Sequence, residues 1–224
     1  MALIDYSMDG NVAVVSMNSG ENRFNLKYFE AFNRVLDAVE NESAANVLVV
    51  KSSHEKIWSN GIDLNWLRTS AQQEGAERNT NFNVEMNNFM KRILVFPMVT
   101  IAAITGHAFA GGAIMSCTFD FRFMRTDRGY FCFPEVDLNI PFTPFFNAIV
   151  KKAIPMYKLE ELQLTGKRVT AEELEKHHII VKACHMDHLM NEVMAFAKTF
   201  NKNRETLRTM KTRLHADIVK VLEG

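Results

Sequence analysis

The sequence predicts an α/β fold with a helical C-terminal extension, on three observations. Short β-branched runs alternate with segments of helical periodicity through the first two thirds of the chain. The last third carries helix signals almost alone. No repeat, low-complexity tract or linker interrupts the pattern, so one unit is expected, with residues 1–165 as the core that carries the site. Residues 166–224 are then a helical segment for packing and oligomer contacts.

The elements follow in order. Leu3–Met8 and Val12–Met17 flank Asp9-Gly10, which is a hairpin signal. From Tyr28 to Glu42 a helix is expected, with Phe29, Phe32, Val35, Leu36 and Val39 on one face. Val47–Val50 reads as a buried strand. A loop to Asn60 and a helical turn over Ile62–Leu67 come next. Ser70–Thr80 is polar, Gln-rich and expected to be mobile. A helix over Phe82–Phe96 stops at Pro97, which cannot continue one. Val99–Ile104 is a strand, and an apolar helix over Ala113–Phe119 follows the small residues of Gly106–Gly112. Phe121–Met124 and Tyr130–Phe133 suggest strands, and Phe142–Ile154 an apolar helix. Thr170 and Glu173 form a capping box. Asp187 opens a helix bearing Leu189, Val193, Phe196 and Phe200.

Composition excludes several classes. Of the 224 residues, 47% are hydrophobic and 23% charged, which argues against disorder. Lys plus Arg number 26 and Asp plus Glu 26, a balance that gives no reason to expect a nucleic-acid partner. Apolar stretches are short and broken, so no membrane span is expected. Three cysteines (Cys117, Cys132, Cys184) form no CxxC motif, so neither a disulfide framework nor a zinc ribbon is expected. The N-terminus has no signal-peptide pattern and the C-terminus no peroxisomal or prenylation signal, so a cytoplasmic location is the expectation.

Three segments can carry chemistry. Trp58-Ser59-Asn60-Gly61-Ile62-Asp63-Leu64 and Gly106-His107-Ala108-Phe109-Ala110-Gly111-Gly112 each join a strand to a helix. Helix N-termini there offer unpaired N–H groups, and small residues let a ligand approach them. Two converging N–H groups would make an oxyanion hole. Taken alone, each is more often a tight turn that needs glycine. The second lacks the Lys-Ser/Thr of a phosphate loop. The third segment is Phe133-Pro134-Glu135-Val136-Asp137-Leu138-Asn139-Ile140, where apolar neighbours would raise the pKa of Glu135 and make it a base. An isolated Glu is more often a surface carboxylate.

In this order and spacing the three segments resemble the crotonase (enoyl-CoA hydratase/isomerase) superfamily. The likeness runs from the opening hairpin to about Ala183 and includes Leu164-Thr165-Gly166-Lys167-Arg168-Val169-Thr170-Ala171-Glu172-Glu173. Ser59–Leu64, Asp120–Arg125 and Asp127-Arg128-Gly129 look most like monofunctional Δ3,Δ2-enoyl-CoA isomerases of the plant type. The resemblance implies a spiral of ββα turns, a coenzyme A thioester as substrate with no separate cofactor or metal, and a homotrimer or hexamer. It implies a role in fatty acid metabolism. It implies oxyanion donors on the backbone of Asn60 and Gly111, with Glu135 as base. Ser59, Gly61, Ile62, Asp63, Phe109, Ile114, Phe133 and Phe142 are the implied substrate-binding residues, although aromatics such as the three Phe are more often core.

Carboxylate placement selects among the family's reactions. Hydratases resemble one another in a second glutamate three residues after the oxyanion glycine, where this chain has Ile114. Dienoyl-CoA isomerases place an aspartate eight residues after the first glutamate, where this chain has Thr143. A single base suits a 1,3 double-bond shift of 3-enoyl-CoA to 2-trans-enoyl-CoA through a dienolate. Hydration, another crotonase reaction, and a non-catalytic acyl-CoA-binding subunit are the alternatives.

Other polar residues are expected to be structural. His107 makes a loop contact, Asp63 caps a helix, and Cys184, His185 and His188 bind no metal. Lys151-Lys152 and the run Lys202, Arg204, Arg208, Lys211 and Arg213 read as solvated helix faces.

Overall fold

The computed structural model describes residues 2–74 and 76–222. The chain opens with the expected hairpin, β1 (Ile4–Asp9) and β2 (Val12–Met17), paired antiparallel with Asp9 opposite Val12. A two-residue strand, β3 (Arg23–Phe24), leads into α1 (Leu26–Glu42), whose N-cap Asn25 accepts a hydrogen bond from the Tyr28 N–H.

The chain then repeats one motif three times. A strand of a large sheet passes into a strand of a small sheet, and helix follows. The first turn is β4 (Val47–Ser52), β5 (Ile57–Ser59), the short β6 (Gly61–Ile62), α2 (Leu64–Glu74) and α3 (Ala76–Leu94). The second is β7 (Val99–Ile104), β8 (His107–Phe109) and α4 (Gly111–Thr118). The third is β9 (Phe121–Arg125), β10 (Phe131–Cys132), a 3₁₀ turn over Pro134–Val136 and α5 (Pro144–Ala153). After α6 (Met156–Thr165) and α7 (Ala171–Lys176), β11 (Lys182–Cys184) returns to the large sheet, and α8 (Met186–Ala197), α9 (Arg204–Leu214) and α10 (Ala216–Lys220) close the chain.

The large sheet is ordered β1-β2-β4-β7-β9-β11 and the small sheet β10-β8-β5. Every pair but β1–β2 is parallel, as a spiral that always rises in one direction requires. This is the spiral of ββα turns the resemblance implies.

The inner strands β2, β4 and β7 of the large sheet are buried on both faces, which explains why they read as near-continuous apolar runs. Ala13, Val15, Leu48, Val50, Ala102 and Ile104 face the main core between the sheets. Their alternates Val12, Val14, Val47, Val49, Ile101 and Ala103 pack against Leu189, Val193 and Ala197 of α8. The C-terminal segment therefore completes the domain: β11 extends its main sheet and α8 covers one face.

Several boundaries differ from expectation. Ile62 ends a strand, and the helix begins at Leu64 because Asp63 accepts the Trp66 N–H at 3.0 Å. The mobile segment expected over Ser70–Thr80 falls partly on Gly75, outside the described residues; α2 runs to Glu74 and α3 starts at Ala76. The capping box at Thr170 is half formed. Thr170 accepts the Glu173 N–H, but the Glu173 carboxylate turns to Lys158 and Lys167.

The expected solvated faces also need correction. Lys211 is buried and pairs with Asp120 at 2.8 Å. Arg204 donates to the carbonyls of Glu40, Ser43 and Ala45. Lys152 donates to carbonyls at the end of α4. Each long stem carries a cation to carbonyls or a carboxylate that neighbouring elements leave without enough donors.

Candidate active site

Glu135 occupies the second position of the 3₁₀ turn. Pro134 fixes the start of that turn, where a missing N–H costs nothing. Glu135 is 8% exposed, and its Oε2 is buried with no hydrogen-bond partner. Burial pushes its pKa up to about 7. It is therefore poised to gain or lose a proton near neutrality, as a general base should be.

The carboxyl group borders a cavity of about 460 Å³. Among the described residues it is the only carboxylate in the lining. Most other lining residues are apolar, including Ile62, Met86, Phe109, Ile114, Leu138, Phe142 and Phe146. Polar groups are few: Arg23, Asn60, Asn83, His107 and Thr143.

Gly111, also in the lining, is the first residue of α4, so its N–H has no acceptor within the helix. Ala110 before it holds φ 50° and ψ −128°, a conformation that costs an L-residue energy. Across from Gly111 stands Gly61, at φ +70°. A Cβ on Gly61 would lie 2.5 Å from the Gly111 nitrogen. Gly112 is similarly tight against the Ser59 carbonyl. Glycine is needed at both places so that the β5–β6 segment and α4 can meet backbone to backbone.

The structure corrects the expected role of Asn60. Its N–H donates to the Glu21 carbonyl at 3.1 Å, and its side chain donates to the Glu21 carboxylate. That N–H is already committed. Three residues on, the Asp63 N–H donates to the Phe24 carbonyl of β3 at 3.0 Å. Successive N–H groups of a strand point to opposite edges, so the Ile62 N–H points away from β3. Ile62 itself lines the cavity.

The other expected site residues divide. Ile62, Phe109, Ile114 and Phe142 line the cavity. Ser59 lies outside the lining. It is fully buried, donates through Oγ to the Asn22 carbonyl and accepts the Gly61 N–H. Gly61 acts by permitting the contact with Gly111, and Asp63 caps α2. Phe133 is core, edge-on to Phe131 and Phe142. Met86 and Phe146 were not singled out from sequence because an apolar residue at helical spacing looks the same facing a cavity as facing a core. Leu138 and Ile140 alternate after Glu135, a pattern that could have marked them as a lip.

His107 makes the expected loop contact, accepting the Tyr130 N–H through Nδ1 at 3.1 Å. Burial, and then Arg168 and Arg128, hold its pKa below the ordinary value. Its Nε2 therefore carries the proton, on a cavity-lining side chain. His185 caps α8, and among the described residues no group of three His, Cys, Asp or Glu is placed to hold a metal ion.

The enoyl-CoA hydratase/isomerase family model matches residues 7–223. The chain belongs to the enoyl-CoA hydratase/isomerase family. Among the family's members, enoyl-CoA delta isomerase 2, peroxisomal, of Arabidopsis thaliana is 33% identical over 156 residues, 69% of this chain and 65% of its own. The matched region thus spans just under two thirds of that relative. A short-chain-enoyl-CoA hydratase of Clostridium acetobutylicum is 25% identical over 199 residues, 87% of this chain and 74% of its own. The fold matches a crystal structure of an enoyl-CoA hydratase from Mycobacterium marinum with a TM-score of 0.86 at 20% identity, over 99% of this chain and 95% of that one. Among the described residues no helix is long and apolar enough to cross a membrane.

Proposed function

We propose that this family member shifts the double bond of a 3-enoyl-CoA to give the 2-trans-enoyl-CoA. The observation that carries the proposal is the lone Glu135 in a cavity without a second described carboxylate. Ionised Glu135 takes a proton from C2 of the acyl thioester. Negative charge then moves onto the thioester oxygen, giving a dienolate. The Gly111 and Ile62 N–H groups are the donors proposed for that oxygen, each worth about 3 kcal/mol in comparable sites. The positive end of the α4 dipole adds to them. Protonated Glu135 returns the proton to C4, so no atom is gained or lost.

The apolar lining favours this reading over addition of water. Ile114 is 2% exposed and stands where a second acid would hold the water. The relatives named as delta isomerases support the same choice. A coenzyme A thioester as substrate, a place in fatty acid metabolism and assembly as a homotrimer or hexamer belong to the same proposal. For assembly, Met210 and Leu214 of α9 are 60% and 76% exposed and border a second groove of about 880 Å³.

The test is product identity by mass and absorbance, starting from 3-cis- and 3-trans-enoyl-CoA. A conjugated product of unchanged mass supports the proposal. A product heavier by one water, or efficient hydration of 2-trans-enoyl-CoA, makes the protein a hydratase. Binding without turnover makes it a non-catalytic acyl-CoA-binding subunit.

A further inference from the structure

The C-terminal end of α4, opposite the proposed oxyanion site, is held by two cations that the reaction as described does not use. All eight residues of α4 are buried, so its last carbonyls cannot turn to water. Lys152 of α5 donates through Nζ to the carbonyls of Phe119 at 2.8 Å, Cys117 at 3.3 Å and Thr118 at 3.5 Å. Arg122 of β9, 7% exposed, donates to the carbonyls of Phe119 at 2.9 Å and Ser116 at 3.3 Å. Its Nε is spent on the Ile179 carbonyl at 2.9 Å, which fixes the guanidinium. Together they supply donors to four successive carbonyls, Ser116 to Phe119, and in doing so bring two positive charges to the end of one short buried helix.

We propose that Lys152 and Arg122 are positioning residues for the reaction: they pin the C-terminal end of α4 and leave its positive N-terminal end, at Gly111, to face the enolate oxygen. This rests on the functional reading above. A helix of this length is about 12 Å long. Charges at that distance through a dry interior are poorly screened. Both therefore favour the negatively charged intermediate over the neutral thioester, and raise turnover more than binding.

The surroundings allow one of the two charges to be switched. Burial, and then the neighbouring Arg122, push the pKa of Lys152 down to about 8. The groups that face it are Arg122 and Asp120 beside β9, Cys117 of α4 and Lys211 of α9. His215, after α9, feels Lys152 and is held neutral, its pKa pushed down to about 4 chiefly by burial. Asp120 is the one acid among them, and it already accepts from Lys211 and from the Thr100 N–H, both at 2.8 Å. Above pH 8, Lys152 loses its charge while Arg122 keeps its own.

The experiment is the pH dependence of kcat and KM for 3-enoyl-CoA with wild type, Lys152→Arg and Lys152→Met. Wild-type kcat falls above pH 8. Lys152→Arg keeps wild-type kcat at pH 7.5 and loses that fall, because its charge does not titrate there. Lys152→Met lowers kcat about tenfold with KM within about twofold. A fall near pH 8 that persists in Lys152→Arg, or a full kcat in Lys152→Met, overturns the proposal while leaving the isomerase reading intact. If Lys152→Met does not fold, the Lys152→Arg profile decides alone. Wild type without turnover overturns the isomerase reading and this one with it.

Discussion

Replacing Glu135 by Gln removes a charge that the fold resists, and the effect on stability depends on pH. The carboxyl group has an ordinary value of 4.5 and is raised by burial to about 7 in the folded protein. An acid with a raised folded pKa favours folding only while it is protonated. Below about pH 4.5 both folded and unfolded chains carry the proton and the charge costs nothing. Between about pH 4.5 and 7 the unfolded chain ionises while the folded chain, with its buried and unpartnered oxygen, keeps the proton, so stability falls; above 7 both are ionised and the loss is complete. The interval between the two values corresponds to about 3 kcal/mol at 1.36 kcal/mol per unit, most of it developed between about pH 4.5 and 7. Glutamine has the same shape and no charge, so its own cost is constant across that range. Urea unfolding of wild type and Glu135→Gln should therefore show stabilities that diverge with pH. The variant gains about 2–3 kcal/mol relative to wild type between about pH 4.5 and 7, and the gap stays level above that. In thermal scans this is a few degrees of midpoint per kcal/mol for a chain of this size. Parallel stability curves would refute the reasoning, because they would mean that Glu135 titrates as an exposed carboxylate.

Three further outcomes follow from the same geometry. Turnover should rise with pH through about 7, because only ionised Glu135 takes a proton; kcat/KM measured from pH 5.5 to 7.5 gives the midpoint. Gly61→Ala should cost stability by about 1–3 kcal/mol and abolish turnover, since the new Cβ meets the Gly111 nitrogen at a positive φ; chemical denaturation and the isomerase assay read both effects. Ile114→Glu places a second carboxylate in the lining; isomerase turnover should fall and hydrated product should appear by mass spectrometry.

Most of the fold was legible in the residues themselves. The Asp9-Gly10 turn fixed the hairpin, and the apolar runs at Val47 and Val99 marked two strands of the large sheet, whose faces are both covered there. The short strands β3, β5, β6 and β8 carried little signal, since two or three residues have no periodicity. Local chemistry joined to family order was enough to point to Glu135 and Gly111, and both line the cavity. The second donor proposed here, on Ile62, was not legible in the sequence. A sequence shows that a glycine turn offers N–H groups, but which one is free depends on a partner distant in sequence. Here Glu21 takes the N–H of Asn60 and Phe24 that of Asp63. Lys152, Lys211 and Arg204 were misread for a related reason: a buried cation and a solvated one look alike until the carbonyls or carboxylate it meets are placed.

The central claim is that one carboxylate carries the proton from C2 to C4. The most direct test follows 3-enoyl-CoA deuterated at C2, with wild type and Glu135→Gln, by mass spectrometry and proton resonance of the product. Conjugated product with part of the deuterium retained at C4 is expected, with a rate lowered at least a hundredfold in Glu135→Gln. Turnover by Glu135→Gln at the wild-type rate would contradict that claim.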